Sequence, residues 1–394
     1  MAYDRGFRVL NGGESNKSFS EKLLKYRFGV ALKVSVAAIV AVLVIVLLMI
    51  QYKNQIYTGV VASVSSEKSN LENNSYLSND GSIVTYSKDG ISTVDGNGEV
   101  LWNMTYEMQS PIVHSVEGYV AVCDYGGHII YVINSSGKVT EIDTNLPIRD
   151  FAISKDALVA AILEDSNTSW INLYNENCEQ LVEIKATMSK TGYPLTLTLN
   201  DEVMGVSYLY VDGDTLKSSV TFYNFGGIGE NVSDHIVSSY DYMNGVVPIV
   251  SFINDETVAA VGDNRLMFFT GAKKPVSTSD IMINENIVGV YIGGEHVGLM
   301  FYDTTGDYKY RLDMYDATGK LDYTYSFDTD YKDVIISNKQ VLIYNEINCI
   351  ILNEDGREKF NGQFPERVIF LGATASNKRY IAVTKDSVVN FNFE

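Results

Sequence analysis

Histidine is the side chain that proteins use most often for proton transfer and metal binding, and this sequence has only four of them. None has a second histidine two or four residues away, the spacing that places two imidazoles on one side of a strand or helix. A site assembled from distant segments stays open, but we favour surface and hairpin positions over metal ligation. We therefore assign no catalytic, cofactor-binding or metal-ligating role to His114, His128, His235 or His296.

Carboxylates are the second group of side chains that could support chemistry here, as ligands for Ca²⁺. They cluster at 211–216, 303–307 and 328–333. None of these segments has the alternating oxygen ligands, the central glycine and the distant glutamate of an EF-hand loop. Because Asp-Gly pairs are common in tight hairpin turns, we interpret the three clusters as turns.

The cysteines and glycines form no motif typical of catalysis. Cys123, Cys178 and Cys349 lie far apart, and none belongs to a Cys-x-x-Cys pair. An odd number at such spacing is typical neither of a disulfide framework nor of a zinc site, so we interpret them as buried or half-buried residues, with one pairing left open. The sequence also has no nucleophile elbow, phosphate-binding loop or dinucleotide fingerprint. We therefore expect a protein that is not an enzyme.

Charge is distributed unevenly along the chain. The 394 residues include 30 Lys and Arg against 49 Asp and Glu, a formal net charge of −19. Residues 1–33 hold seven basic and three acidic side chains, 34–50 hold none, and 51–394 hold 23 basic and 46 acidic ones. A region this acidic repels phosphate backbones, which argues against nucleic acid as a partner.

The uncharged segment is long enough to span a membrane. Residues 34–52 are 19 consecutive residues without a charge, and about 20 such residues in a helix cross a hydrocarbon core of roughly 30 Å. We predict an uncleaved transmembrane helix, because the region before it is longer than that of a signal peptide and no small-residue cleavage site follows Ile50. A cleaved signal peptide is the alternative. The positive charge before the segment predicts a single-pass protein of the plasma membrane, with 1–33 as a cytoplasmic tail and 53–394 as an extracytoplasmic domain.

The sequence after residue 60 repeats one pattern: an apolar run, an Asp or Asn, a Gly and a second apolar run. Clear copies are 92–102, 131–142, 313–325 and 350–360, and weaker copies occupy the same register. In each copy we expect the Asp or Asn to open a hairpin turn by bonding its own backbone, and the Gly to adopt a positive φ. The turn openers are Asp95, Asn134, Asn175, Asn224, Thr270, Asp316, Asn353 and Asn392.

The spacing of these turns predicts the fold class. Successive turn openers are 39, 41, 49, 46, 46, 37 and 39 residues apart, and each interval contains two further strand-like stretches. Four short strands per unit of this length are typical of a β-propeller blade, whereas a β-helix or an array of sandwiches needs other spacings. We therefore predict an all-β, eight-bladed β-propeller, with seven blades as an alternative. Because the chain ends two residues after Asn392, we expect residues 57–64 to supply the outer strand of the last blade and close the ring.

Two of the repeats resemble those of a known propeller family. The segments 94–102 and 315–323, VDGNGEVLW and YDATGKLDY, are similar to the Asp-x-x-Thr-Gly-Lys-x-x-Trp repeat of the quinoprotein-like, or PQQ-like, β-propellers. Only Trp102 keeps the tryptophan of that repeat, since Trp170 lies outside the motif, and the chain lacks the adjacent cysteine pair of the quinone-dependent dehydrogenases. The resemblance therefore implies the fold and no bound cofactor.

A membrane anchor joined to such a propeller resembles the uncharacterised single-pass envelope proteins of Gram-positive bacteria. It is also similar in fold to the propeller subunit of the outer-membrane assembly machinery. A repeat architecture joined to a membrane tether, with no catalytic motif, favours a membrane-tethered, non-enzymatic interaction or scaffold module with a protein partner in the cell envelope. Neither the identity of that partner nor the oligomeric state follows from the sequence.

Two segments are our first prediction for the contact face. Residues 225–235 and 271–282 lie in long intervals, and we expect both to be loops inserted relative to the other repeats. Two other functions stay open, because fold alone does not specify function. One is an enzyme or ligand sensor with a site at the propeller axis, and the other is a receptor for cell-wall glycan that uses the tyrosine-rich region 302–325.

Overall fold

The N-terminal element is a single long helix, α1 (Gly13–Lys53). It contains a 27-residue stretch, Glu21–Leu47, that is long and apolar enough to cross a membrane by length and composition, and none of this stretch is buried. Residues 1–12 of the predicted cytoplasmic tail lie outside the described residues. The computed structural model describes residues 13–53, 55–67, 74–166, 168–188, 190–213, 215–232 and 234–394.

The helix begins well before residue 34, where the sequence predicted its start. Hydropathy detects only the apolar part of a helix, whereas the preceding turns are rich in Lys, Glu and Leu, which are good helix formers. Glu21 and Lys25 are also four residues apart, a spacing at which opposite charges stabilise a helix. The helical segment therefore includes a polar part that the apolar run does not reveal.

Residues 57–394 form a second compact unit, which we describe by itself. It consists of eight four-stranded sheets in which every neighbouring pair of strands is antiparallel. In chain order the strands are β1 (Val60–Glu67), β2 (Ser75–Asn79), β3 (Ser82–Tyr86), β4 (Gly90–Val94), β5 (Val100–Thr105), β6 (Pro111–Val116), β7 (Tyr119–Asp124), β8 (Ile129–Asn134), β9 (Val139–Asp143), β10 (Ile148–Ile153), β11 (Val159–Asp165), β12 (Thr168–Tyr174), β13 (Gln180–Ala186), β14 (Tyr193–Leu199), β15 (Val203–Asp212), β16 (Thr215–Asn224), β17 (Ile236–Met243), β18 (Ile249–Phe252), β19 (Thr257–Val261), β20 (Arg265–Thr270), β21 (Val276–Met282), β22 (Gly289–Gly293), β23 (His296–Tyr302), β24 (Tyr310–Tyr315), β25 (Leu321–Phe327), β26 (Asp333–Ser337), β27 (Gln340–Tyr344), β28 (Asn348–Asn353), β29 (Glu358–Gln363), β30 (Phe370–Ala373), β31 (Arg379–Val383) and β32 (Ser387–Phe393).

Each sheet is one blade of a propeller. Blade 1 consists of β2–β5, and each further group of four consecutive strands forms the next blade, as far as blade 7 with β26–β29. Blade 8 has the order β1-β32-β31-β30, so its outer strand comes from the other end of the chain. The predicted eight-bladed propeller is confirmed, and the alternative of seven blades is excluded.

The two ends of the propeller sequence meet in blade 8. Strand β1 pairs with β32 so that Val60 lies opposite Phe393, and it starts three residues later than the predicted segment 57–64. Tyr57, just before this strand, is 3% exposed, and its backbone N–H donates to the carbonyl of Lys359 in blade 7 (2.7 Å). The first residue of the unit therefore fixes blade 8 to the blade before it.

The hydrophobic core is divided among the interfaces between neighbouring blades. Middle strands such as β19 and β27 are buried along their whole length, because both faces of each blade pack against another blade. Outer strands such as β13 alternate between exposed and half-buried residues. The first strands of neighbouring blades contact one another around the axis, and we call these the inner strands.

The repeated turn follows the chemistry expected from sequence. The Asp95 carboxylate accepts from the backbone N–H groups of Asn97 and Glu99 (2.9 and 2.8 Å). The side-chain oxygens of four other turn openers accept from the N–H groups two and four residues later in the same way. These openers are Asn134, Asn175, Asp316 and Asn353.

The turn glycine also sets the distance between blades. At Gly137, where φ is +79°, an added Cβ would lie 2.7 Å from the Cβ of Trp102 in the preceding blade. Gly356 in blade 7 meets the ring of Tyr323 in blade 6 in the same way. The aromatic residue at the end of the motif therefore packs against the turn glycine of the following blade.

Candidate functional site

One end of the propeller carries the connections between strands one and two and between strands three and four of each blade. They share this end because successive strands of a blade run in opposite directions. Tyr57 lies here as well, beside the carbonyl of Asn377 in the first connection of blade 8 (hydroxyl to oxygen 3.4 Å). We call this end the entry face, and the other end the opposite face.

A cavity of about 530 Å³ opens between the inner strands of blades 2–5. His114 and Asp150 lie in its wall, with the His114 Nε2 3.7 Å from Asp150 Oδ1. The other carboxylate oxygen accepts from the Thr196 hydroxyl (3.2 Å). In this order the hydroxyl adjoins the carboxylate and not the imidazole, so the three side chains do not form an activated nucleophile. The wall is suited to hydrogen bonding a polar ligand.

The mouth of this cavity is held together by polar contacts between three blades. The Lys155 ammonium lies 2.9 Å from Asp255, and the hydrogen bond and charge of that carboxylate raise the pKa of Lys155. Asn200, in the blade between them, donates to the backbone carbonyl of Asp255 (3.4 Å). These contacts connect the first turns of blades 3, 4 and 5 into one rim.

The predicted contact loop 225–235 lies next to this rim. It is the connection between β16 and β17 and contains a short 3₁₀ turn, Gly229–Asn231; Ser233 lies outside the described residues. The Asn224 side chain holds it, accepting from Gly226 N–H (2.9 Å) and donating to the carbonyl of Lys273 in blade 5 (2.9 Å). Lys273 in turn lies 3.3 Å from the rim residue Glu202.

The prediction that residues 271–282 form an inserted loop is wrong. Only residues 271–275 connect two strands, as in the other blades, and Val276–Met282 is the outer strand β21. The number of residues between two turn openers gives the length of the whole interval, but it does not show which segment within the interval contains the extra residues. The extra residues of this interval lie farther along the chain, partly in the connection 303–309.

The four histidines occupy four different environments. His114 lines the axial cavity, and the imidazole of His235, at the end of loop 225–235, lies 5.4 Å from the Phe225 ring. His296 lies 3.2 Å from Asp322 in blade 6, and the His128 carbonyl accepts from Thr144 N–H near the opposite face. Among the residues that the structure describes, no three histidine, cysteine or acidic side chains come together in a group that could hold a metal ion.

The three cysteines, all within the described residues, have free thiols. Cys123 and Cys349 are buried in blades 2 and 7, and burial raises the pKa of the Cys123 thiol to about 12. Cys178 is half-buried and has a φ of +65°. Cys178 occupies the same turn position as Gly137 and Gly356, three residues after the turn opener. Its place in the turn therefore explains its positive φ.

The acidic clusters form turns and local pairs. Segment 211–216 is the tip of the β15–β16 hairpin, with Asp214 outside the described residues. In 303–307 the Asp303 carboxylate accepts from the N–H and the hydroxyl of Thr305 (2.8 and 2.6 Å), and these hydrogen bonds lower the pKa of Asp303. In 328–333, Asp330 pairs with Lys309.

The tyrosine-rich region 302–325 does not form one surface. Tyr302 stacks on Tyr310 with ring centroids 5.7 Å apart, near the opposite face. Tyr315 is buried in the core, and Tyr323 lies at the interface with blade 7. Packing therefore accounts for several of these rings, as their frequent occurrence in half-buried strand positions suggests.

Asp150 and Thr196 line the cavity, although the sequence did not indicate either of them as a site residue. Each belongs to a different repeat, and their contact depends on how two blades pack. The only signal in the sequence is a carboxylate within the strand-like stretch DFAIS (150–154), which a single sequence does not distinguish from a residue at an exposed strand position.

Stability is expected to fall as the pH rises above about 10, because of buried tyrosines in blade 4. The hydroxyls of Tyr208 and Tyr223 lie 2.7 Å apart, and burial raises the pKa of Tyr223 to about 12 and that of Tyr208 well above its usual value. An unfolded tyrosine ionises near pH 10, so between these values the folded state binds more protons and loses stability as pH rises. Urea unfolding from about pH 9 to about pH 11.5 measures this. A constant free energy of unfolding would contradict it, and Tyr223→Phe should reduce the fall.

Comparison with solved structures supports the fold alone. The chain is similar to the computationally designed Ika8 protein, with a TM-score of 0.57 and 12% identity over 84% of this chain and 98% of that one. It is also similar to AztD from Citrobacter koseri, with a TM-score of 0.50 and 8% identity over 75% of this chain and 87% of that one. For BamB from Moraxella catarrhalis the TM-score is 0.47, with 13% identity over 84% and 100%.

Comparison with known sequences identifies a family. No curated protein matches the chain significantly. Residues 53–392 match the model of a family of unknown function, DUF5711. The match spans the propeller, and the chain belongs to this family.

Proposed function

We propose that this protein is a single-pass membrane protein whose extracytoplasmic propeller is a non-enzymatic interaction module of the cell envelope. The exposed apolar stretch Glu21–Leu47 supports the membrane anchor, since an apolar surface of this length is unfavourable in water. The seven basic residues in 1–33 support a cytoplasmic N-terminus.

The observation that carries the interaction function is loop 225–235 on the entry face. It has eleven residues, whereas the other third connections of the described blades have four or five. It is tied to the cavity rim through Lys273 and Glu202. A long surface loop held on a rigid scaffold is a common form of binding site.

The charge of the entry face indicates the kind of partner. The first connections of the eight blades hold eight acidic residues and three basic ones. Complementary charge accelerates association and selects partners, so the partner is proposed to present a basic surface. The acidic residues are Asp80, Glu117, Asp156, Asp201, Glu202, Asp255, Glu256 and Glu295, and the basic ones are Lys155, Lys339 and Lys378.

A site-specific crosslinking experiment tests this contact face. A photo-crosslinking amino acid replaces Ile228, which is 46% exposed in the loop, and in a matched variant Val288, which is 38% exposed on the opposite face. Both full-length variants are expressed in the native membrane and irradiated. We expect one protein adduct from position 228 that position 288 does not form. The same protein should co-purify with the full-length chain and not with residues 1–60.

Three results would count against the proposal. Equal adducts from both positions would show non-specific contact, and the absence of adducts at 228 while a partner still co-purifies would remove the loop from the interface. A shortened chain in the soluble fraction, cleaved after the helix, would contradict the membrane anchor and support a cleaved signal peptide.

A ligand at the axis is the second candidate function. The side chain of His114 lines the axial cavity, and its buried Nε2 atom has no hydrogen-bond partner among the described residues. A small molecule that bonds this nitrogen would produce a saturable rise in melting temperature, and His114→Ala would abolish that rise.

A further inference from the structure

A second large cleft lies outside the axial site. It separates blades 6 and 7, has a volume of about 670 Å³ and opens on the entry face. Met314, Ile336 and Val341 supply its apolar lining. Charged residues from the turns of both blades surround this lining, so the cleft combines an apolar base with a polar rim.

The fold provides its own reference for this cleft, because blades 1 and 2 meet in an equivalent one. Trp102 lies opposite Thr93 in blade 1, as Tyr323 lies opposite Met314 in blade 6. The turn glycine of the following blade packs on the aromatic ring in both cases. The volume between blades 1 and 2 is about 240 Å³, so the cleft between blades 6 and 7 is much larger at the same position.

The chemistry of the two clefts differs position by position. Asp322 precedes Tyr323 where Leu101 precedes Trp102, and Glu354 follows the turn opener of blade 7 where Ser135 follows that of blade 2. A carboxylate thus replaces an apolar side chain at one position and a hydroxyl at the other. Four carboxylates line the cleft between blades 6 and 7, whereas two, Asp80 and Asp95, line the cleft between blades 1 and 2.

The charged residues that line the cleft between blades 6 and 7 are mostly acidic. Glu295, Asp322, Glu354 and Asp355 line it, against Lys339 and His296. The Lys339 ammonium lies 3.9 Å from Glu354 and its side chain is 84% exposed, a geometry in which an ion pair contributes little.

Two further polar side chains, His296 and Tyr323, line the cleft. His296 lies 2.6 Å from the Gly294 carbonyl oxygen through Nδ1 and 3.2 Å from Asp322 through Nε2. Both neighbours are acceptors, so the ring can donate to both only when each nitrogen carries a proton. The Tyr323 hydroxyl is buried and has no hydrogen-bond partner among the described residues, and such a group is stabilised when a ligand supplies the missing bond.

We infer that this cleft binds the side chain of a lysine or arginine from an extended peptide segment. The methylene stem of such a side chain packs against Met314 and Val341, and its cation reaches Asp322 and Glu354, as basic side chains do when an apolar surface ends in carboxylates. A neutral apolar side chain would gain nothing from the carboxylates, and an acidic one would be repelled. The inference concerns the propeller alone and does not depend on the membrane anchor or on loop 225–235.

Methionine methyl groups supply a local probe of this cleft. The full-length protein, in a neutral detergent, is labelled with ¹³C at its methionine methyl groups and titrated with the peptide acetyl-Gly-Ala-Lys-Ala-Gly-amide. We expect a saturable shift of the Met314 signal, assigned with Met314→Leu, and no shift of Met243, which is exposed near the opposite face. The same peptide with norleucine in place of lysine keeps the stem and lacks the charge, so its affinity should be at least about tenfold lower.

Two variants test the named contacts. Asp322→Asn should weaken binding of the lysine peptide about tenfold, whereas Asp89→Asn, the same change at an exposed turn on the opposite face, should leave it unchanged. Tyr323→Phe, which removes only the hydroxyl, serves if Asp322→Asn fails to fold, and should weaken binding about threefold.

The inference has clear points of failure. Equal affinity for the norleucine peptide would show that the cleft accepts any apolar side chain, and an equal loss from Asp89→Asn would show that only overall charge matters. A Met314 signal that neither peptide moves would also overturn the proposal. A shift that depends on protein concentration without peptide would identify a second copy of the chain as the occupant instead.

Discussion

Replacing Tyr57 with alanine is expected to lower the free energy of unfolding by about 3–5 kcal/mol. The ring is 3% exposed and packs against Phe393, with ring centroids 5.8 Å apart. The Lys359 ammonium lies 4.7 Å from the ring centroid, and the hydroxyl lies 2.9 Å from the side-chain amide of Gln340. The substitution would therefore leave a cavity where the two ends of the propeller sequence meet.

Urea unfolding of the full-length protein, followed by circular dichroism, measures this effect. Tyr57→Phe keeps the packing and removes only the hydroxyl, so it should cost about 1 kcal/mol. Tyr308→Ala changes a ring that is 49% exposed and should cost less than about 0.5 kcal/mol. A loss below about 1 kcal/mol for Tyr57→Ala would show that blade 8 does not need this residue to close the ring.

The second large effect is expected at Gly137, where alanine should lower the free energy of unfolding by about 2–4 kcal/mol. Part of this cost is the backbone, because φ is +79° and side chains with a Cβ are strained in that region. The rest is steric, since the new Cβ would lie 2.7 Å from the Cβ of Trp102. That atom adjoins the backbone of β5 and cannot rotate away, so blades 1 and 2 would have to separate.

A second glycine isolates the steric part. Gly118 has a φ of +82° but no atom within 4 Å of an added Cβ, so Gly118→Ala should show the backbone cost alone, about 1 kcal/mol. The difference between the two variants measures the contact with Trp102. If both variants lose the same free energy, the turn glycine is selected by its conformation and does not set the distance between blades.

The number of blades follows from the sequence because the turn that marks each one is local. The Asp95 carboxylate bonds N–H groups no more than four residues away, and the same holds for Asn353 in blade 7. Such a turn leaves a readable signal in one short segment. The apolar stretch of the helix is readable for a similar reason, since its composition alone distinguishes it from every other segment.

The sequence was less informative where one number describes several segments. The interval after Thr270 is long, but nothing in the count shows that residues 276–282 form a regular outer strand. The start of α1 at Gly13 was missed because polar helix formers carry no hydropathy signal. Neither the length of an interval nor the hydropathy of a segment defines where a strand or a helix begins.

The candidate sites were decided only by the tertiary structure. Composition and local turns established an acidic, eight-bladed propeller after an apolar helix, but His114 meets Asp150 at the axis only because blades 2 and 3 are packed side by side. Likewise, the amide of Asn390 reaches the carbonyl of Gly96, 294 residues away, only after the ring has closed. Contacts between blades join residues from different repeats, and local patterns in one sequence do not reveal which side chains of two repeats face each other. Bonds within a repeat could therefore be predicted from the sequence, whereas cavities, clefts and faces required the packed ring.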